Sequence, residues 1–140
     1  MSQIRTRPTG ALATIGADGA AVVTARSGAT TRLAYSPSMD GFNPLELLDA
    51  SLAGCLAISL RIAARNLGLQ DRLGEVRVEV VGSKAATPPS RIAQQVCRYH
   101  IAGDFTPAER DALIAGAHAV YTIGHSLDGA MEIVDGEALA

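Results

Sequence analysis

Cys55 is the side chain of this sequence with the clearest capacity for covalent chemistry. It lies in a long apolar segment, residues 43–60, that reads NPLELLDASLAGCLAISL. A thiolate is a nucleophile, whereas a thiol packed among apolar side chains is usually an inert filler. The position therefore leaves two interpretations open, in which Cys55 is either a structural residue or a sheltered nucleophile.

Sequence spacing alone does not bring a charged group beside this thiol. Glu46 precedes Cys55 in the same segment, and Arg26 and Arg32 lie on predicted N-terminal strands. A cation stabilises a thiolate, and a carboxylate can orient an arginine by a bidentate pair. Each group also has a structural explanation, since Glu46 can cap a helix and each arginine can be a solvated strand charge. A straight helix would place Glu46 and Cys55 on opposite faces, so a shared site requires a second subunit or a bend near Gly54.

The second cysteine reads as a packing residue. Cys97 alternates with Gln95 and Tyr99 along a predicted strand, which favours a small, buried side chain. A Cys55–Cys97 disulfide remains the alternative, because sequence does not give the distance between the two residues.

The histidines and glycines form no recognisable ligand motif. The histidines lack His-x-x-x-His spacing, there is no Cys-x-x-Cys pair, and no glycine-rich phosphate loop opens a helix. Metal, nucleotide and other cofactors are therefore not predicted. One histidine has two interpretations, as an ordinary surface residue or as a proton donor. The histidines are His100, His118 and, the one in question, His125.

Composition indicates a single globular domain over residues 1–140. Hydrophobic residues make up 48% and charged residues 19% of the 140 positions, which is typical of a folded chain. The net charge of -2, the absence of Trp and the lack of a basic run argue against nucleic-acid binding.

The ends and the apolar stretches favour a soluble, cytoplasmic protein with no membrane partner. No apolar region follows Arg5 and Arg7, so a signal peptide is not expected. The longest uncharged part of the central helix, Ala50–Leu60, is shorter than the about 20 residues that cross a bilayer. Two cysteines are too few for a disulfide scaffold.

The pattern of strands and helices predicts an α+β fold in the order βββ-α-ββ-α-β. The turn at Asp18-Gly19 favours a first hairpin, Asn43 and Pro44 open the central helix, and Thr106 with Glu109 forms a capping box. The predicted elements are strands Ala11–Ile15, Ala20–Arg26 and Thr30–Tyr35, a helix from Pro44 to about Asn66, strands Glu75–Val81 and Ile92–Ala102, a helix from Pro107 to about Val120, and a strand Ala130–Val134.

The central helix is apolar on nearly every face. Only four of its residues carry charge, so most of its surface must be covered by protein. In a chain of this size, the cover is expected from a wrapping sheet, from a second subunit, or from both.

The segment 43–48, NPLELL, followed by LAGCL at 52–56, resembles the central helix of the OsmC/Ohr family of osmotically inducible and organic hydroperoxide resistance proteins. The predicted strand order and the Gly103-Asp104 turn also agree with that family. The resemblance implies an intertwined homodimer that reduces small organic hydroperoxides with a thiol at its interface. It assigns Cys55 as the peroxidatic thiol and Glu46 as the carboxylate that orients Arg26 or Arg32.

The sequence departs from the family pattern at two positions. Tyr121, in the stretch YTIGHSL at 121–127, stands where the family carries a second, resolving cysteine, and Leu45 stands where peroxidase members often carry a glutamate. A peroxidase of this kind would need an external thiol or dithiol to reduce the sulfenic acid of Cys55. Two alternatives stay open: a non-catalytic dimer that binds an apolar small molecule, and another thiol reaction of Cys55 such as acyl or sulfur transfer.

Overall fold

The computed structural model describes residues 7–129 and 131–140 of the chain. Its elements confirm the α+β class. They are β1 (Ala11–Ile15), β2 (Ala21–Ala25), β3 (Thr30–Arg32), α1 (Pro44–Asn66), a 3₁₀ turn (Gln70–Arg72), β4 (Val76–Lys84), β5 (Ile92–Ile101), α2 (Pro107–Val120) and α3 (Thr122–Asp128). The chain forms two compact units, an N-terminal unit that ends at Leu48 and a C-terminal unit that begins at Asp49.

The N-terminal unit is an antiparallel sheet in the order β1-β2-β3. The predicted hairpin is confirmed: Ala20 donates to the Asp18 carboxylate at 2.9 Å, and Gly19 takes a φ of +83° in the turn. The third strand ends at Arg32 rather than at Tyr35, because Leu33 forms an isolated parallel bridge with Phe42.

Helix α1 begins and ends where local sequence chemistry predicts. The Glu46 amide donates to the Asn43 side chain at 2.8 Å, so that Asn43 satisfies one of the free amides of the first turn. At the other end Gly68 takes a φ of +70°, the left-handed conformation that commonly follows the last helical residue.

The C-terminal unit packs a β4–β5 hairpin and α2 against α1. Alternate residues of β4 are half-buried and exposed, as expected for a strand with one solvent face. The core comprises Leu60, Ala63, Ala64, Ile101, Phe105, Leu113 and Ala117.

An arginine secures the connection between β5 and α2. Arg110 donates to the backbone oxygens of Ile101 and Gly103, and its guanidinium lies 5.7 Å from the centre of the Phe105 ring. The capping box at Thr106 and Glu109 is confirmed by its two reciprocal hydrogen bonds. The start of α2 is therefore held by side-chain bonds on both sides of Phe105.

The predicted last strand, Ala130–Val134, is not formed. Ala130 lies outside the described residues, and residues 131–134 have no regular secondary structure. Met131 and Ile133 are 63% and 89% exposed. A strand exists only by pairing with a neighbour, and residues 131–134 pair with none of the five described strands. The short helix α3, which the sequence did not predict, lies just before this segment.

By length and composition, α1 is apolar enough to cross a membrane, contrary to the expectation from its uncharged stretch alone. Its charged residues lie near the two ends, which leaves a long window with few charges. Leu56, Leu60 and Ala64 are nevertheless fully buried within this chain, as in the core helix of a water-soluble fold.

Replacing Arg110 with Met should lower the free energy of unfolding by about 2 kcal/mol, because two charge-assisted hydrogen bonds to backbone oxygens are lost. Urea denaturation at a fixed protein concentration measures the change. Arg98→Met is the matched control, since Arg98 is exposed and lies 3.5 Å from the equally exposed Glu79. Equal losses for the two variants would contradict the assignment of Arg110.

Candidate functional site

Cys55 lies at the margin of the buried face of α1. Its thiol is free and half-buried. Leu52 and Leu56, on either side of it, are buried, whereas Ile58 is 64% exposed. Ser59 lies four residues after Cys55, on the same side of α1. It is 2% exposed and adds a polar group next to the thiol's side of the helix. The thiol is thus sheltered by apolar side chains without being enclosed by them.

Glu46 is engaged at the start of α1. Its carboxylate accepts a hydrogen bond from the Asn43 amide at 2.9 Å, while its own amide donates to the Asn43 oxygen. Asn43 is therefore the side chain that caps the backbone of α1, while the Glu46 carboxylate bonds the Asn43 side chain rather than a backbone amide. A catalytic role for the Glu46 carboxylate stays a prediction.

Within the N-terminal unit, the loop between β3 and α1 lines an open cleft of about 610 Å³. Gly41 in this loop has a φ of +128°, and a Cβ there would lie 2.8 Å from the backbone oxygen of Arg32. Only glycine fits such an approach. The cleft walls combine apolar and polar groups, among them Tyr35, Pro37, Met39, Leu45 and Glu46.

Both candidate arginines are exposed residues of the N-terminal unit. Arg26 follows β2 and donates its amide to Gly10, and Arg32 ends β3 opposite Val22. Within residues 7–129 and 131–140, neither guanidinium forms a salt bridge. The pairing of either arginine with Cys55 or Glu46 therefore stays a prediction.

Cys97 lies on β5 as a half-buried free thiol. Burial raises the pKa of this thiol, an effect that the neighbouring Tyr99 hydroxyl partly offsets. A raised pKa reduces the thiolate fraction at neutral pH, so Cys97 suits a packing role better than a nucleophilic one.

A cluster that sequence reasoning missed lies where α2 meets α3. We call Tyr99, His118, Tyr121 and His125 the aromatic cluster. The Tyr99 hydroxyl lies 3.0 Å from Nε2 of His118. The His118 ring stacks on Tyr121 at a centroid distance of 4.9 Å, and the His125 ring packs edge-on against the same tyrosine, also at 4.9 Å. The spacing of 118, 121 and 125 is the helical i, i+3, i+7 pattern, a signal that was present in the sequence.

Both tyrosines of the aromatic cluster are protonated at neutral pH. Burial, with a smaller contribution from Cys97, raises the pKa of Tyr99 to about 12. Burial and then the carboxylate of Asp128, which accepts a bond from the Tyr121 hydroxyl at 3.3 Å, raise the pKa of Tyr121. Each phenol therefore keeps its proton.

No set of three or more His, Cys, Asp or Glu side chains in the described part of the chain is arranged to hold a metal ion.

The site thus consists of a free cysteine on a long apolar helix of an α+β chain. The chain belongs to the OsmC-like protein family, whose model matches residues 37–134. No curated protein sequence matches the chain significantly.

Solved structures share this fold over nearly their whole length. An OsmC-like protein from Mycoplasma pneumoniae has a TM-score of 0.78 at 17% identity, covering 89% of this chain and 90% of the other. An organic hydroperoxide resistance protein OsmC from Legionella pneumophila has a TM-score of 0.71 at 26% identity, covering 90% and 93%. The organic hydroperoxide resistance protein OhrB of Bacillus subtilis has a TM-score of 0.67 at 18% identity, covering 88% and 92%.

Replacing Asn43 with Ala should lower the free energy of unfolding by about 1 kcal/mol, the usual contribution of a helix N-cap. Glu46→Gln is the matched variant, because the glutamine oxygen can still accept the bond from Asn43, and we expect its unfolding midpoint to stay near that of the wild type. Urea denaturation followed by circular dichroism measures both. A loss for Glu46→Gln as large as that for Asn43→Ala would show that the charge, rather than the bond, stabilises the helix.

Proposed function

We propose that this protein is a cytoplasmic, homodimeric thiol peroxidase that reduces small organic hydroperoxides through Cys55. The observation that carries the proposal is the free, half-buried thiol of Cys55 on the core helix of a chain of the OsmC-like family. The similarity to a hydroperoxide resistance protein at 26% identity supports the same chemistry. Apolar neighbours such as Leu52 and Leu56 favour fatty or aromatic hydroperoxides over hydrogen peroxide.

In the proposed reaction, the Cys55 thiolate attacks the terminal oxygen of the hydroperoxide. A sulfur–oxygen bond forms as the oxygen–oxygen bond breaks, and the departing alkoxide takes up a proton, which leaves an alcohol and a sulfenic acid. An external thiol then attacks the sulfenic sulfur and releases water. A second thiol, or the other arm of a dithiol, attacks the resulting mixed disulfide and regenerates Cys55.

The charged candidates take defined roles in this proposal. Arg26 or Arg32 stabilises the thiolate, and the Glu46 carboxylate orients that arginine. Because Glu46→Gln keeps the bond to Asn43, a slower oxidation of Cys55 in that variant at unchanged stability would separate the catalytic role from the cap.

Apolar surface that this chain leaves uncovered supports the proposed homodimer. Ile58 and Ile62 form an exposed strip on α1, and Leu12 and Ile15 are exposed on β1. Large exposed apolar patches on soluble proteins commonly mark association surfaces. A second copy is the occupant that the proposal names, because a symmetric pair covers the same strip on both protomers at once.

Replacing Cys55 with Ser should abolish the reduction of cumene hydroperoxide, whereas Cys97→Ser should leave it within about twofold, because turnover uses an external thiol. Peroxide consumption in the presence of dithiothreitol measures the rate, and intact mass locates the oxidised residue. Loss of activity in Cys97→Ser would contradict the one-cysteine route. A wild-type rate no higher than that of free cysteine would overturn the proposed function.

Replacing Ile58 with Glu should weaken the dimer by about 100-fold or more, because each protomer loses a buried isoleucine and introduces a charge. Sedimentation equilibrium over a range of protein concentrations measures the dissociation constant. Gln94→Glu is the matched control, since Gln94 is an exposed residue of β5 and gains the same charge. Equal weakening by both variants, or none by Ile58→Glu, would exclude this strip as the interface.

The cleft of about 610 Å³ in the N-terminal unit favours a second candidate function, in which the protein binds an apolar small molecule without catalysis. Its volume lies in the range of small-molecule sites. In that case Cys55 would react with hydroperoxides no faster than a free thiol, and the same rate measurement distinguishes the two functions.

A further inference from the structure

A row of side chains along one side of α1 runs from Cys55 to the place where helix α2 packs against α1. Cys55, Ser59 and Ala63 occupy every fourth position of α1, so their side chains follow one another along its surface. Gly116 of α2 packs on the far end of this row, where a Cβ on Gly116 would lie 2.9 Å from the Cβ of Ala63. The row that begins at Cys55 therefore leads to α2.

The direction of α2 follows from its contacts with β5. Arg110, in the first turn of α2, donates to the backbone oxygen of Ile101 at the end of β5. His118, in the last turn of α2, lies at Tyr99, two residues earlier in that strand. Helix α2 therefore runs antiparallel to β5.

Strand β5 runs in the same direction as α1. Gln95, early in the strand, donates to the Asp49 carboxylate at 2.8 Å near the start of the helix. Ile101, at the end of the strand, belongs to the same core cluster as Leu60 and Ala64, further along the helix. Because α2 is antiparallel to β5, it is also antiparallel to α1.

This arrangement brings Tyr121 back to the level of Cys55. Tyr121 follows Gly116 by five residues, which is about 7.5 Å of helix. The same length measured back along α1 from Ala63 reaches about residue 58, within one turn of Cys55. The junction of α2 and α3 thus lies at about the same level along the axis of α1 as the thiol.

We propose that the Tyr121 hydroxyl donates a hydrogen bond, and then its proton, to the oxygen that leaves when Cys55 attacks a hydroperoxide. The inference rests on the proposed function and adds a catalytic residue to it. Tyr121 does not act as a second thiol, since a phenol forms no disulfide. It assists the first half-reaction instead of the resolving step.

The step balances without a further reactant. The thiolate sulfur bonds to the terminal oxygen, the oxygen–oxygen pair of electrons goes to the departing alkoxide, and the phenol proton completes the alcohol. The phenolate is then reprotonated from water. An alkoxide is far more basic than a phenolate, so the transfer is favourable even though burial and Asp128 raise the pKa of Tyr121.

The surroundings hold the Tyr121 ring in one position. His118 stacks on it, His125 meets it edge-on, and Gly124 lies directly under the ring, where any Cβ would overlap it. Its hydroxyl bond to Asp128 is long, at 3.3 Å, so an incoming alkoxide oxygen can replace that carboxylate as acceptor. A fixed ring with an exchangeable hydroxyl bond is what a proton donor requires.

The test compares two oxidants in each variant. Cumene hydroperoxide releases an alkoxide that needs a proton, whereas peroxyacetic acid releases a carboxylate that does not. For Tyr121→Phe we expect the second-order rate of Cys55 oxidation by cumene hydroperoxide to fall about 100-fold relative to that by peroxyacetic acid, as for loss of a general acid. The rates are measured by stopped flow, with the sulfenic acid trapped and identified by mass.

The ratio of the two rates is taken within one protein sample, so partial unfolding of Tyr121→Phe cannot produce the effect. Tyr99→Phe is the matched control, because it removes the other hydroxyl of the aromatic cluster, which is bonded to His118. Its ratio should equal that of the wild type.

Three results would overturn the inference. An unchanged ratio in Tyr121→Phe, or the same change in Tyr99→Phe, would remove Tyr121 as the donor while leaving the proposed function intact. A wild-type Cys55 that reacts with cumene hydroperoxide no faster than free cysteine would remove the proposed function itself, and this inference with it.

Discussion

The covering of helix α1 is the constraint on which the rest of this structure depends. The helix is apolar on most of its surface, yet only 33% of its most apolar window is buried within the chain. The hairpin β4–β5 and helix α2 cover one face, where Leu60 and Ala63 belong to the shared core cluster. Exposed apolar surface of that extent is unfavourable in water, which is the basis of the proposal that a second copy covers the opposite face.

The same constraint explains the environment of the thiol. Cys55 lies at the boundary between the covered face and the open one, with Leu56 buried beside it and Ile58 exposed. A fully buried thiol could not meet a substrate, and a fully exposed one would have no apolar wall to select an organic hydroperoxide. A second copy placed over Ile58 would turn this boundary into a cleft.

Sequence predicted the elements that are encoded by neighbouring residues and missed those that need distant ones. The bounds of α1 and α2 follow from caps, Asn43 for one and Thr106 with Glu109 for the other, which act within a single turn. The strand at Ala130–Val134 was predicted from alternation alone, but a strand also requires a pairing partner. The early end of β3 depends on the bridge from Leu33 to Phe42, a contact that no local sequence pattern predicts.

The residues of the candidate site likewise fall into those that the sequence could identify from neighbouring positions and those that depend on distant contacts. Cys55 was identifiable from the sequence because a mid-helix cysteine and its flanking residues are contiguous. The contact between Asn43 and Glu46 was identifiable because the two residues are three positions apart. The pairing of an arginine with the thiol could be suggested only by resemblance, since it joins residues far apart in the chain. The aromatic cluster combines a helical pattern at 118, 121 and 125 with a contact to Tyr99, and that contact exists only once β5 and α2 are folded together.

The replacement of a second thiol by a phenol changes which part of the reaction the chain itself can complete. In the proposed reaction, Tyr121 stands where the resemblance implies a cysteine that would resolve the sulfenic acid of Cys55. Cys97 is a poor substitute, because burial raises the pKa of its thiol and so lowers the thiolate fraction available to attack. A sulfenic acid that is not resolved internally persists until an external thiol reaches it, so the open side of the site must admit both the hydroperoxide and the reductant. In our proposal the phenol assists the first of these encounters by donating to the leaving oxygen, whereas reduction of the sulfenic acid depends on the external thiol.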